Sequence, residues 1–305
     1  MTFPDIDPVI FQIGPFALRW YALAYVAGIA VGWWYAARLA RTERLWAPGR
    51  APINARQLDD LVLWITLGII LGGRFGYALF YEPQMYAQLF NGANWTERMA
   101  LFRIWDGGMS FHGGLIGVSL AIIGYALKQK IPLLSLGDLV APVAPIGLFF
   151  GRIANFINGE LWGRPTDAPW GMVFCNRTIM DAYGYCPAGM VPRHPSQLYE
   201  AALEGLVLFV ILSLMVWKRH AYARPGLATG TFLLGYGVIR ALLENVRQPD
   251  AGLENLPLGL TMGMYLSIPM MLIGGWLIWR AYQQPVVAAA PMAAEPDAAS
   301  DDTPS

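Results

Sequence analysis

Charge is what this 305-residue chain has least of: Asp, Glu, Lys and Arg supply 14% of it, while hydrophobic residues supply 56%. Soluble domains carry about 25% charged residues, so this balance, with a mean hydropathy of +0.41, excludes an ordinary soluble domain and points to an integral membrane protein. Net charge is zero and no block of Lys and Arg stands out, which argues against nucleic acid as a partner. Histidine is limited to three widely separated residues and the carboxylates do not cluster, so ligand spacing for a metal is missing, and neither metal nor cofactor is expected. Lys and Arg are also absent ahead of the first apolar run, where Asp5 and Asp7 stand instead. A cleavable signal peptide opens on basic residues, so that run reads as a retained span. Cysteine is confined to Cys175 and Cys186; an oxidising compartment permits them to pair, and two free thiols are the alternative.

What the chain has instead is long apolar runs. A helix needs about 20 apolar residues to cross the hydrocarbon core. Seven stretches approach that length: Phe16–Ala37, Leu58–Phe80, Ser110–Leu127, Ser135–Phe156, Pro195–Trp217, Gly226–Leu243 and Gly263–Tyr282. The expected fold class is therefore an all-α polytopic membrane protein with seven transmembrane helices. Gly and Pro in the runs from Ser110 and Ser135 predict that these two are broken or tilted. Lys and Arg collect in the short cytoplasmic loops of such proteins. Eleven of the twenty-one basic residues (Arg38, Arg41, Arg44, Arg50, Arg56, Lys128, Lys130, Lys218, Arg219, Arg224 and Arg280) lie in connections of one parity. That parity puts the N-terminus outside and the C-terminus in the cytoplasm. Within a membrane domain covering 1–284, the segment 164–193 is too long, and too rich in Pro, Gly and aromatics, for a bare connector; a small periplasmic head insertion is expected there. The tail 285–305 is rich in Ala, Pro and Asp, has no periodic apolar face, and is expected to be disordered in the cytoplasm.

A charged side chain deep in lipid costs about 2.5 to 3.5 kcal/mol, so each one needs a partner or a purpose. With the expected topology, the unusual polar groups share one depth, near the outer face. Arg152 and Asn155 close an outward-going span in "GRIANFINGELWG", Asn158 and Glu160 follow, and Gly159 reads as a helix cap. Tyr21 opens the first span, His112 the third and the stretch His194 to Glu200 the fifth, while Arg74 and Arg240 fall in outer halves. Tyr236, Arg240, Glu244 and Arg247 are spaced 4, 4 and 3, within about 80° of arc on one helix face. Such a stripe either locks two helices together or serves a ligand. Glu244 neutralises only one of its two arginines, and Arg152 and Arg74 lie at similar depth; that arginine excess favours an anion, with the guanidinium fork matched to phosphate oxygens. At that depth the abundant anion is a phospholipid head group. Glycines 107, 108, 113 and 114 flank His112 and imply backbone that bends or approaches something closely. His112 is a candidate proton acceptor, the alternative being a histidine hydrogen-bonded inside the bundle.

These residues fall in motifs that resemble the bacterial prolipoprotein diacylglyceryl transferases. "GRIANFINGELWG", with Arg152, Asn155, Asn158, Glu160 and Gly163 in place, resembles the family's signature. "RWYAL" at 19–23, "WDGGMSFHGGLIG" at 105–117, "RHPSQLYE" at 193–200 and "GYGVIR" through "RQPD" at 235–250 resemble it too, in the family's order. The resemblance implies an inner-membrane enzyme that moves the diacylglyceryl group of phosphatidylglycerol onto the lipobox cysteine thiol of prolipoproteins, forming a thioether and releasing glycerol 1-phosphate. It implies functional roles for Tyr21, His112, Asn155, Glu160, Tyr236, Glu244 and Arg247 as well as for Arg152 and Arg240. Arg152 and Arg240 are the expected phosphate clamp, with His112 the candidate base for the substrate thiol. Tyr21, Asn155, Asn158, Glu160, Gly163, Tyr236, Glu244 and Arg247 are expected to bind substrate. Phosphatidylglycerol, the prolipoprotein lipobox and membrane lipids are the expected partners. Two rivals use the same residues without chemistry: a transporter or flippase for an anionic lipid, and an assembly subunit whose Arg–Glu pairs only lock helices.

Overall fold

Five helix starts among the described residues, at Asn54, Asn94, Ser110, Asn176 and Thr261, are set by short polar side chains that accept the first free backbone N–H groups. In the computed structural model, which describes residues 1–14, 16–46, 51–104, 107–249 and 257–286, Asn54 accepts from Gln57 N while the Gln57 side chain accepts from Asn54 N. That capping box opens helix α2 (Ala55–Phe80), which follows α1 (Trp20–Arg41). Next come α3 (Gln84–Asn91), α4 (Trp95–Arg98) and α5 (Phe111–Gln129), the last capped by Ser110 Oγ on Gly113 N at 3.2 Å. Helices α6 (Leu133–Val140) and α7 (Ala144–Ile157) follow, then α8 (Arg177–Tyr183), opened by Asn176, and α9 (Ser196–Arg219). The chain continues through α10 (Leu227–Leu243) to α11 (Met262–Gln283), capped by Thr261.

Five of these helices, α1, α2, α5, α9 and α11, are long and apolar enough to cross a membrane among the described residues. The pair α6 and α7, bent by 40° at a short break, makes a sixth span if taken as one; α10, at 17 residues, is apolar but short. Burial is low for apolar helices, between 17% and 39% of each span's apolar window. Leu63, Leu67 and Leu71 of α2 and Leu272, Ile273 and Trp276 of α11 are exposed. Such outward apolar surface suits lipid, which provides no drive to hide it.

Two expectations are corrected and one is met. The first run does not begin as helix at Phe16: Phe16–Arg19 is strand β2, paired antiparallel with β1 (Val9–Ile13), and α1 starts at Trp20. The fold is mostly helical and consistent with an all-α polytopic membrane protein; the hairpin went unforeseen because a hydrophobicity window cannot separate an apolar strand from the helix it feeds. The run from Ser110 is one unbroken helix, since its glycines serve packing. The run from Ser135 does break, at residues 141–143, where Pro142 supplies no N–H and Pro145 stands in the first turn of α7. The expected tail lies outside the described residues from 287 onward.

Glycine decides how α2 meets α5. A Cβ placed on Gly76 would lie 2.5 Å from Gly113 Cα, and one on Gly72 would lie 2.7 Å from Gly117 Cα. Four-residue glycine spacing on both helices thus brings the two backbones into contact, as small residues do between membrane helices. Likewise Gly237 faces α11 at Met271 and Ser267, and Gly235 faces Leu208 of α9, so both admit helices. At one end of the bundle, Arg38 and Arg44 lie over the Trp217 ring, Trp46 stacks on Tyr222, and Arg224 reaches Ala281 O and the Tyr282 ring. The basic connections therefore meet at a common end. Away from that end, Phe174, Ile179 and Ala188 of the segment 164–193, where a head was expected, form a small separate core with Phe3 of the N-terminal stretch. Cys175 and Cys186 are joined there with Cα atoms 5.4 Å apart, so the pair is a disulfide.

Gly76→Ala is expected to lower the thermal unfolding midpoint of the detergent-purified protein, by a destabilisation of about 1–3 kcal/mol. Gly275→Ala, whose Cβ would meet nothing within 4 Å, is the matched control and is expected to leave the midpoint in place.

Candidate active site

The end of α7 is where the apolar run gives way to polar groups. The helix stops at Ile157, Asn158 caps it, and Gly159 takes the left-handed conformation at φ +65° that lets the chain reverse. Reversal brings Glu160 back over the last turn. Asn155 Nδ2 donates to Glu160 Oε1 at 2.8 Å and to Tyr21 Oη at 2.7 Å, and Asn158 Nδ2 reaches Glu160 Oε1 at 3.5 Å. Gln197 Nε2, from the start of α9, donates to Glu160 O at 2.5 Å. Tyr21 on α1, buried Asn155 on α7 and half-buried Glu160 after it thus form one network.

Arg152, one turn earlier, points toward α9. Its Nε lies 2.8 Å from Glu200 Oε2 and its Nη2 lies 3.5 Å from Glu204 Oε2. Arg240 of α10 approaches the same two carboxylates, with Nη1 at 3.8 Å from Glu200 Oε1 and 3.9 Å from Glu204 Oε1, while its Nη2 pairs with Glu244 at 2.7 Å. Arg247 Nη1 lies 3.5 Å from Glu200 Oε1. Glu200 and Glu204 are fully buried, and Glu244 and the arginine side chains are nearly so. Residues 201–207 adopt a π-helical turn, a local widening that recurs at functional sites, and Gly205 within it packs on Phe149 of α7. Tyr236 lies in electrostatic reach of Glu204, Arg240 and Arg152, and Tyr21 in reach of Glu160 and Arg152. Arg152 therefore joins the two networks.

The structure brings together Tyr21, Arg152, Asn155, Asn158, Glu160, Tyr236, Arg240, Glu244 and Arg247. Gly163 serves the scaffold beside them: its N–H donates to His194 O at 2.9 Å, it bridges Arg247, and a Cβ there would lie 2.5 Å from Val246 O. Arg164 continues the contact, its N–H donating to Val246 O and its Nε to Arg247 O. Arg74 is not part of the cluster. Buried on α2, it donates to the carbonyls of Ala100, Leu101, Gly107 and Gly108, holding the loop that precedes α5. His112 sits half-buried on the first turn of α5 beside Phe111, and no hydrogen bond or ion pair joins it to the arginines among the described residues. The expected arginine excess is also corrected, because Glu200 and Glu204 balance Arg152 and Arg247 while Glu244 takes Arg240.

Sequence reasoning missed Glu204 and gave Glu200 no role. Their signal was present: two carboxylates four residues apart in "YEAALEG", inside an apolar run, is an arrangement lipid tolerates only when both charges are matched. The cavities between α1 and α2, including an apolar groove of about 450 Å³ lined by Val26, Ile29, Ala30, Trp33, Asp59 and Val62, contain no residue of the cluster.

Comparison with known proteins places this geometry in a family context. A family model described as prolipoprotein diacylglyceryl transferase matches residues 8–280. A phosphatidylglycerol–prolipoprotein diacylglyceryl transferase of Phenylobacterium zucineum is 61% identical over 287 residues, covering 93% of this chain and 96% of the relative. One of Caulobacter vibrioides is 59% identical over 296 residues, covering 94% and 97%. One of Rhizobium meliloti is 54% identical over 282 residues, covering 92% and 94%.

Arg74→Gln is expected to leave the carbonyls of Ala100, Leu101, Gly107 and Gly108 without their donor, at about 1–3 kcal/mol for the buried Leu101 carbonyl and less for the others. Limited proteolysis between α2 and α5 should quicken, and Arg74→Lys should restore protection only in part because an ammonium lacks the guanidinium's fixed fork. Unaltered cutting in Arg74→Gln would remove this role.

Proposed function

The chain belongs to the prolipoprotein diacylglyceryl transferase family, and we propose that the Arg152–Arg240 cluster beneath its head is where the reaction occurs. The protein is a transferase that moves the diacylglyceryl group of phosphatidylglycerol to a prolipoprotein. The observation that carries the site assignment is the convergence of Arg152 from α7 and Arg240 from α10 on one pair of fully buried carboxylates, next to the Tyr21–Asn155–Glu160 network.

In this reading the acceptor is the lipobox cysteine. Its thiol must lose a proton to become a nucleophile. The sulfur then bonds to the terminal glyceryl carbon of the diacylglycerol moiety as the bond from that carbon to the phosphate oxygen breaks, and the electron pair leaves with glycerol 1-phosphate. Negative charge grows on the leaving phosphate, so cations already in place lower the barrier most. Arg152 and Arg240 are the clamp. Tyr21, Asn155, Asn158, Glu160, Tyr236, Glu244 and Arg247 orient the lipid and the clamp, and Gly163 fixes the backbone beneath them. His112 takes the thiol proton and returns it to the phosphate monoester, which requires the acceptor to lie between the start of α5 and the arginines.

The same reading completes the topology. Helix α10 is the sixth of seven spans, the N-terminus and the 164–193 head lie outside the inner membrane, and the basic connections and the 285–305 tail lie in the cytoplasm. An outward site fits both the disulfide of the head and the delivery of a prolipoprotein across the membrane.

A lipidation assay with phosphatidylglycerol and a lipobox peptide tests the clamp. Arg152→Ala and Arg240→Ala are each expected to reduce turnover by at least a hundredfold in protein that remains inserted, and near-normal turnover would refute the assignment. Release of glycerol 1-phosphate by the purified protein separates this reading from a flippase or an assembly subunit, neither of which produces it. For His112→Gln, transfer should slow and the acidic limb of its pH profile should disappear; an unchanged profile would remove the base role.

A further inference from the structure

The reaction changes the charge of what the arginines hold, and the cluster is built in a way that bears on it. Phosphatidylglycerol presents a phosphodiester with one negative charge. The released phosphate is a monoester, whose second ionisation near pH 6 gives it a charge of about −1.5 to −2 at pH 7. A bare trio of guanidiniums would therefore hold product more tightly than substrate. The trio is not bare, because Arg152, Arg240 and Arg247 are matched by Glu200, Glu204 and Glu244 in one connected set of ion pairs.

Glu200 and Glu204 are the unusual members. Both are fully buried, and three of their four carboxylate oxygens have no hydrogen-bond partner although arginine nitrogens lie near them. Arg240 Nη1 also lacks a hydrogen bond and stands at 3.8 and 3.9 Å from the two carboxylates. Glu244 closes on Arg240 Nη2 at 2.7 Å and Glu200 on Arg152 Nε at 2.8 Å, so the contacts left loose are those of Arg240 Nη1 to Glu200 and Glu204. A guanidinium face left open between two charges that do not close on it remains able to donate to a third anion, while the carboxylates reduce the local positive field.

We propose that Glu200 and Glu204 act as positioning and charge-levelling residues that keep the arginine clamp from trapping the phosphate monoester product, and so set the rate of product release. This inference rests on the reading of the cluster as the phosphate site. Removing one of the two charges while keeping its shape should shift the balance toward the more highly charged ligand, leaving product release to limit turnover.

The test uses the purified full chain in phosphatidylglycerol vesicles with a lipobox peptide, and glycerol 1-phosphate as inhibitor. Glu204→Gln is expected to lower the half-inhibiting concentration of glycerol 1-phosphate at least tenfold. It should also slow multiple turnover several times more than single turnover. Glu204→Asp, which keeps the charge, should stay within about threefold of the unaltered protein. A merely structural role would reduce both kinds of turnover together and leave inhibition unchanged, and that result overturns the inference. Glu200→Gln repeats the test from the neighbouring position. The unaltered protein supplies a measurement independent of any variant. It should bind glycerol 1-phosphate no more than about threefold tighter than glycerophosphoglycerol, the monoanionic diester; a ratio above about thirty overturns the inference. If the unaltered protein neither releases glycerol 1-phosphate nor is inhibited by it, the proposed reaction itself fails, an outcome distinct from normal inhibition that the variants do not move.

Discussion

The end of the bundle that carries Arg152 and Arg240 is organised around a charge set that cannot be assembled in pieces. Removing one partner of a buried ion pair costs about 3–5 kcal/mol, because the charge left behind has no water to turn to. Glu200 alone touches Arg152 from α7 and Arg247 beyond α10, and lies near Arg240 on α10. Three elements are thereby held to one point on α9. The constraint runs in both directions: the arginines are tolerated at membrane depth because the carboxylates are there, and the carboxylates are fixed in register by the π-turn in which Glu204 lies. No single helix of the set can rotate without exposing an unmatched charge to hydrocarbon.

Helix packing delivers the groups to that point with little side-chain bulk. Gly205 brings α9 against Phe149 of α7, Gly235 brings α10 against Leu208 of α9, and Gly237 brings α10 against Met271 of α11. Because lipid offers no hydrophobic drive between helices, such close contacts must come from backbone approach and van der Waals fit. Helices α2 and α5 form a separate glycine-zipped pair, and Arg74 stitches to it the loop that carries the chain toward His112. His112 thus belongs to a different structural unit from Arg152 and Arg240, and the proposed base role holds only if substrate bridges the two.

Much of the candidate site was legible in the sequence because lipid penalises polar groups so heavily that each one signals a partner. The run Tyr236–Arg240–Glu244 and the helix end at Asn158–Gly159 follow from helical periodicity and turn chemistry alone, whereas Arg247, expected on the same helix face, lies past the helix end in a backbone bridge to Gly163. Pairing did not follow. Charge counting along α10 left Arg247 and Arg152 unmatched because their partners sit on α9, and only tertiary packing brings that helix beside them. Arg74 was misplaced for the same reason: depth along a helix says nothing about which way its side chain turns. The β1–β2 hairpin was hidden because "FALR" is as apolar as the helix that follows, and hydropathy does not register a strand's period over four residues.

The entry and exit of the 164–193 segment are tied into the charge set. Gly163 and Arg164 pair with the backbone of Val246 and Arg247, directly fixing the segment from which the Arg247 side chain reaches Glu200. Arg193, at the head's far end, donates to Gly163 O and to Gln248 Oε1, closing the loop on itself. Ser196 and Gln197 then start α9 with bonds to Leu161 O and Glu160 O, so the helix that carries both buried carboxylates is registered against the motif that carries Arg152. Gly163 has no room for a side chain because it lies at the crossing of these strands of backbone. The head therefore acts as a clasp: it converts a sequence motif at the end of one span into a fixed distance between charges on three others.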